Sequence, residues 1–180
     1  MKNNKEIKDL LEKVERITVQ KGLDLSSGED LSIGVMNLIS VEEHLFYTSQ
    51  KTKDDKYLDL LNEVRVIRTE LLKEIIKDYE GEVWCISKHL LAASMRLMEV
   101  GTKELKKGDK EKAWKLFDKS YKLYSLFWGL NLGAVKTKST KINSNNKIKF
   151  RNNEIEEKGS DSVLSKLGSL VQKAIDCCRE

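Results

Sequence analysis

Cys85 and His89 stand four residues apart in a segment whose apolar residues recur at helical spacing. One turn of helix puts such a pair on a common face, a spacing that can chelate zinc or set a thiol beside an imidazole base. Zinc needs further ligands, and the remaining cysteines are Cys177 and Cys178. Adjacent helical residues point about 100° apart, so these two do not readily share one ion. Nucleophilic catalysis needs a group that orients the imidazole and a loop of backbone donors for an oxyanion. The sequence offers neither. The plain alternative makes Cys85 a small buried hydrophobe.

A carboxylate site is the second candidate. Glu42 shares a helical face with Leu38 and Leu45, and Glu63, Glu82 and His89 can join it from the next two segments. Helical bundles hold paired metals between such carboxylates and Glu-x-x-His pairs. No Glu-x-x-His occurs here, and Glu82 and His89 are separated by two full turns. The competing reading is that Glu42 borders the core and pairs with Arg65 or Arg68. His44 has no ligand at useful spacing, and Gly129-Leu130-Asn131-Leu132-Gly133 follows a helix instead of the strand that a phosphate loop requires. No cofactor and no catalytic role is expected.

Charge is distributed unevenly. Between 101 and 151 fourteen lysines and arginines face Glu104, Asp109, Glu111 and Asp118, a net of +10. The whole chain is +4, so the rest carries −6. Lys112, Lys115, Lys119 and Lys122 step along one side of a helix, and Lys136, Lys138 and Lys141 follow in a basic stretch. Such a surface can bind nucleic-acid backbone through counterion release. Its alternative is a solvated lysine face followed by a soluble linker. Base-specific readout gains no support, because Phe150 is the lone aromatic residue of 134–159 and arginine is scarce there.

The elements that must position these groups are helices. Proline is absent, which removes the commonest helix breaker and the commonest loop corner. Charged residues make up 34% of the chain and hydrophobic ones 39%, a balance that suits amphipathic helices with wide solvent faces. The periodicity predicts a helix over 4–21, stopped by Gly22, and a second that starts after Gly28 with Ser26 or Ser27 as cap and ends near Ser49. Its stripe is Leu31, Val35, Leu38, Val41 and Leu45, and Gly34 within it predicts a close helix contact.

The third segment opens at 52–55 and runs to Gly81, with Tyr57, Leu60, Leu61, Val64, Ile67, Leu71, Leu72, Ile75 and Ile76 on its stripe. The fourth starts at Glu82 and carries Val83, Ile86, Leu90, Ala93, Leu97 and Val100. The short link between these two predicts antiparallel neighbours. Asp109 caps the fifth, whose Ala113, Trp114, Phe117, Tyr121, Tyr124 and Trp128 form a predicted core side, with a partner or ligand groove as the competing reading.

Residues 134–159 are rich in Lys, Asn, Ser and Thr and predict a flexible basic linker. Ser160-Asp161-Ser162 then caps an amphipathic helix carrying Val163, Leu164, Leu167, Leu170, Val171, Ala174 and Ile175. That apolar face must be covered, by its own bundle or by another molecule, a second copy of the chain included.

Leu97, Val100, Gly101, Gly108, Ala113 and Phe117, with the turn phrase Gly108-Asp109-Lys110-Glu111-Lys112-Ala113-Trp114, give the segment 97–123 its character. It resembles a single tetratricopeptide hairpin, in which small residues sit where two helices cross and large ones fill the hairpin. Glu104 stands where that family usually has an aromatic residue and Ser120 where it has alanine. No proline follows, and no second copy occurs one repeat length away, although such solenoids usually need about three repeats. The resemblance implies a protein-binding surface.

These readings combine into an all-α antiparallel bundle of about five helices over 1–133, a basic linker over 134–159 and a tethered helix over 160–180. The expected function is a non-catalytic adaptor that binds a protein through Trp114, Tyr121, Tyr124 and Trp128. Backbone binding to RNA or DNA is the alternative, and a metal site at Glu42, Glu63, Glu82, Cys85 and His89 is third. No apolar run reaches the length of a membrane span, the N-terminus lacks the apolar core of a signal peptide, and three sparse cysteines suit a reducing compartment, so the expected location is cytoplasmic.

Overall fold

A computed structural model describes residues 24–77 and 82–134, together with Lys8, Asp9, Glu12, Lys13, Glu15, Arg16, Val19, Leu167 and Gly168. Its four complete helices are α1 (Leu25–Thr52), α2 (Lys56–Ile75), α3 (Glu82–Lys106) and α4 (Lys110–Asn131). No strand occurs among the described residues, and the all-helical bundle read from the sequence is the fold. The basic stretch 135–159 lies outside them, as does most of the predicted first and last helices.

Local chemistry explains where the helices begin. Asp24 caps α1, accepting from Ser26 N at 3.1 Å and Ser27 Oγ at 2.7 Å. The cap therefore lies two residues before Ser26 and three before Ser27, the expected serine caps, because the aspartate satisfies the first orphan donors. Lys53 leaves α1 in the left-handed region, φ 58°. Asp54 then accepts from Lys56 N at the head of α2. Asp109 caps α4 as the sequence predicts, accepting from Lys112 N at 2.9 Å, and Gly108 supplies the positive φ of 87° that the turn needs.

Two hairpins form. α1 packs on α2 and α3 packs on α4, and α1 against α3 joins them. The predicted pairing of the third and fourth segments, now α2 and α3, is not among these packed pairs. The inner side of α3 is taken up by α4 and α1, and the chain leaves α2 in extended backbone at the buried Ile76.

The α3–α4 seam shows why it is antiparallel and close. Ser87 meets Asn131, whose Nδ2 donates to Ser87 Oγ at 3.0 Å. Ser94 meets Ser120, each hydroxyl reaching the other's backbone carbonyl, at 2.9 and 2.7 Å. Gly101 meets Phe117, whose ring leaves no room for a side chain: a Cβ on Gly101 would lie 2.6 Å from Phe117 Cε1. Ser87, Ser94 and Gly101 repeat every seven residues, and so do Ala113 and Ser120 opposite them. Small residues let the backbones approach, and the serines satisfy each other where water is excluded.

Val35, Leu72, Ile75, Ile76, Ala113 and Trp128 of the predicted stripes are buried, but the stripe of α3 is rotated. On α3 the buried line is Ser87, Leu91, Ser94 and Gly101, one residue on from Ile86, Leu90, Ala93 and Val100, which is about 100° around the helix. Ile86 is exposed. On α2, Leu60 and Ile67 are exposed while Arg68 is buried, and on α1 Val41 is exposed while Ser32, Glu42 and Ser49 are buried.

Among the described residues no atom lies within 4 Å of a Cβ added at Gly34, so none of them makes the close contact predicted there. Gly34→Ala is expected to stabilise the protein by about 0.5–1 kcal/mol through helix propensity. Gly101→Ala is expected to destabilise it by about 1–2 kcal/mol, because overpacking against Phe117 outweighs that same gain. Urea titration of the two variants checks both signs.

Candidate functional site

The seam has a consequence at the surface. Close approach of α3 and α4 beside α1 leaves a groove of about 550 Å³, lined chiefly by Ile33 and Met36 of α1, Met95 and Met98 of α3, and Phe117 and Tyr121 of α4. Tyr124 closes its inner end, with its hydroxyl 2.7 Å from Ser32 Oγ. Burial pushes the Tyr124 hydroxyl above the ordinary tyrosine pKa, and burial does the same at Tyr121. Both therefore stay neutral hydrogen-bonding groups. Tyr121 donates to the Gly168 carbonyl at 2.9 Å on the rim. Ile33, Met98 and Tyr121 are each more than two-fifths exposed, so the groove is open to solvent.

Of the four aromatic residues expected at a partner surface, Tyr121 and Tyr124 converge in this groove. Trp128 lies in the core, packed edge-to-face on Phe127 at 5.2 Å, and its indole nitrogen has no hydrogen-bond partner among the described residues. Trp114 is 76% exposed and outside the groove. The buried face of α4 is centred on Ala113, Ser120, Phe127 and Asn131. Trp114 projects about 100° from that centre, which corrects its placement on the core side. The methionines are what sequence reading passed over. Three of the four in the chain line the groove, and the Met95–Met98 spacing was the available signal.

The residues considered for metal scatter. Glu42 is engaged by Arg65 and Arg68, at 3.0 and 2.7 Å, as the competing reading expected. Glu63, Glu82, Cys85 and His89 are all exposed. Among the described residues no group of three or more His, Cys, Asp or Glu side chains is placed to hold a metal ion.

The lysine face of α4 is present but partly neutralised. Lys112 pairs with Glu104 at 3.2 Å, Lys115 with Glu111 and Lys122 with Asp118 at 3.0 Å. Lys119 is exposed on the same face. Glu104, buried at the end of α3, also holds Lys107 at 2.9 Å, and these lysines keep its carboxyl below the usual glutamate pKa. It closes the α3–α4 turn by charge. Lys136, Lys138 and Lys141 lie outside the described residues.

No family model, no curated protein and no solved structure matches this chain. No helix among the described residues is long and apolar enough to cross a membrane.

Proposed function

We propose that the protein is a non-catalytic adaptor that receives an amphipathic helix of a protein partner in the groove between α1, α3 and α4. One observation carries the reading: an open, almost wholly apolar groove of about 550 Å³ with three methionines along it. Methionine side chains are unbranched and polarisable, so they adapt to the knobs of an incoming helix. Tyr121 and Tyr124 carry the few polar groups that can orient a ligand in such a site. The tetratricopeptide-like spacing of Gly101, Gly108, Ala113 and Phe117 points to the same class of function.

The test begins with a partner captured by cross-linking and identified, whose binding is then measured by calorimetry. Met98→Glu and Ile33→Glu alter exposed side chains of the groove and are expected to weaken binding about 30-fold or more together, with the melting temperature nearly unchanged. Equal affinity for the double variant and the native chain would refute the groove.

A second reading draws on the +10 charge of residues 101–151. In it the α4 lysines and the following basic stretch bind phosphate backbone. Retention on heparin that collapses steeply with added salt, and that weakens when Lys119 and Lys122 become glutamine, would favour it over the adaptor.

A further inference from the structure

A separate concavity of about 330 Å³ lies nearer the α1–α2 turn, between α1, α2 and α3. Its cationic side is built from Arg65 and Arg68 of α2 and Lys88 of α3, with His89 also on the lining. Two carboxylates also face it. Glu43 is engaged by Arg96, outside this cleft. Glu42 is the floor and holds both arginines: Arg68 Nε donates to Oε1 at 2.7 Å and Nη2 to Oε2 at 3.2 Å, while Arg65 Nε donates to Oε2 at 3.0 Å.

That arrangement spends the two arginines differently. Arg68 is buried and all three of its nitrogens have acceptors, the third being Thr69 Oγ1 at 3.2 Å. Arg65 uses only Nε, and its terminal nitrogens have no acceptor among the described residues. Lys88, half-buried in the same cleft, has none among them either. Glu42 thus orients the Arg65 fork and leaves its outer edge unoccupied, which is the geometry that takes a planar oxyanion in two parallel hydrogen bonds. Beside it stand Phe46 and Tyr47, both exposed, edge-to-face at 5.2 Å, with Leu61 across from them.

We infer that this cleft binds a carboxylate carried on an apolar, aromatic body, of the kind a peptide ending in an aromatic residue presents. Arg65 and Lys88 hold the oxyanion, and Phe46, Tyr47 and Leu61 take the ring. Three permanent cations face Glu42 alone once Glu43 is engaged elsewhere, and that modest excess suits a monoanion better than a phosphate dianion. The site is distinct from the methionine groove and does not depend on it.

N-acetyl-L-phenylalanine is the probe, titrated into the full chain at pH 7.5 and followed by amide and arginine-side-chain NMR. Saturable shifts are expected at Phe46, Tyr47, Arg65 and Lys88. The matching amide, which lacks the charge, is expected to bind at least 10-fold more weakly, and inorganic phosphate more weakly than the acid. Arg65→Ala and Lys88→Ala, both at side chains that leave the core intact, are each expected to weaken the acid about 5-fold or more with melting temperature retained. Equal binding of acid and amide, phosphate binding as tight as the acid, unmoved cleft resonances, or full affinity in both variants would each overturn the assignment.

Discussion

Glu42→Ala is expected to destabilise the protein by about 3 kcal/mol, because it strands the Arg68 guanidinium, 5% exposed, without a counter-charge. Arg65→Ala is expected to cost less than about 1 kcal/mol, since the Arg65 side chain is more than half exposed and its share of the pair is screened by solvent. The asymmetry is the informative part. Two arginines reach the same carboxylate at similar distances, yet only one has left water to do so. Replacing the buried pair together, Glu42→Leu with Arg68→Met, is expected to recover most of the loss, as no charge is then left unpaired. Equilibrium urea unfolding of the three variants checks the order. Equal losses for Glu42→Ala and Arg65→Ala would show that the network is energetically uniform and that burial does not govern it.

The same group sets a pH dependence. Burial alone pushes the Glu42 carboxyl up, but the bonds and charges of Arg68 and Arg65 outweigh it, and the folded-state value lies below that of an ordinary glutamate. A carboxylate with a depressed folded pKa binds protons more readily in the unfolded chain. Its contribution is therefore fully present above the unfolded value and is lost as pH falls through the folded one. Native stability should decline on acidification below about 4.5, and Glu42→Gln should flatten that decline. A parallel fall in both proteins would assign the acid sensitivity to other groups.

What the sequence made legible was local. Asp109 was readable as a cap because one side-chain oxygen and one backbone donor decide it, within three residues. Glu42 was readable as an arginine partner because Leu38 and Leu45 place it beside apolar surface and a charge there needs a counter-charge. The rotation of α3 and the outward turn of Trp114 were not readable in the same way. Hydrophobic periodicity weights Ile86, Leu90 and Trp114 heavily and counts Ser87, Ser94, Gly101 and Ser120 as neutral. In this bundle the small residues own the seam, since close backbone approach buries more than one large side chain per turn can.

The bundle's helix-to-helix partners were equally beyond local signals. A short link between the segments that became α2 and α3 predicted neighbours, whereas α3 finds its partners in α4 and α1. The groove follows from that choice. It needs three helices at once, so no single periodic stripe announces it, and its aromatic members Tyr121 and Tyr124 looked like the same core as the buried Trp128.

Leu167→Ala tests how far this bundle extends beyond its four complete helices. Leu167 is 3% exposed and belongs to the same buried cluster as Val35, Leu72, Leu91, Phe127 and Trp128. Next to it the Gly168 carbonyl accepts from the Tyr121 hydroxyl, and a Cβ on Gly168 would sit 3.3 Å from the Tyr121 ring. Truncating a leucine in such a setting removes its transfer free energy and leaves a cavity, for an expected loss of about 2–4 kcal/mol. An exposed leucine would cost a few tenths, so urea unfolding separates the two outcomes cleanly. Tyr121 adds a second readout, because it lies on the groove wall and also holds Gly168. Tyr121→Phe deletes only that hydrogen bond and should cost about 1 kcal/mol. If Leu167→Ala also changes affinity for a helix bound in the groove, the two sides of Tyr121 are coupled, and residues that cover the core help to shape the surface that receives the partner. An unchanged midpoint in Leu167→Ala would place Leu167 outside the cooperative unit.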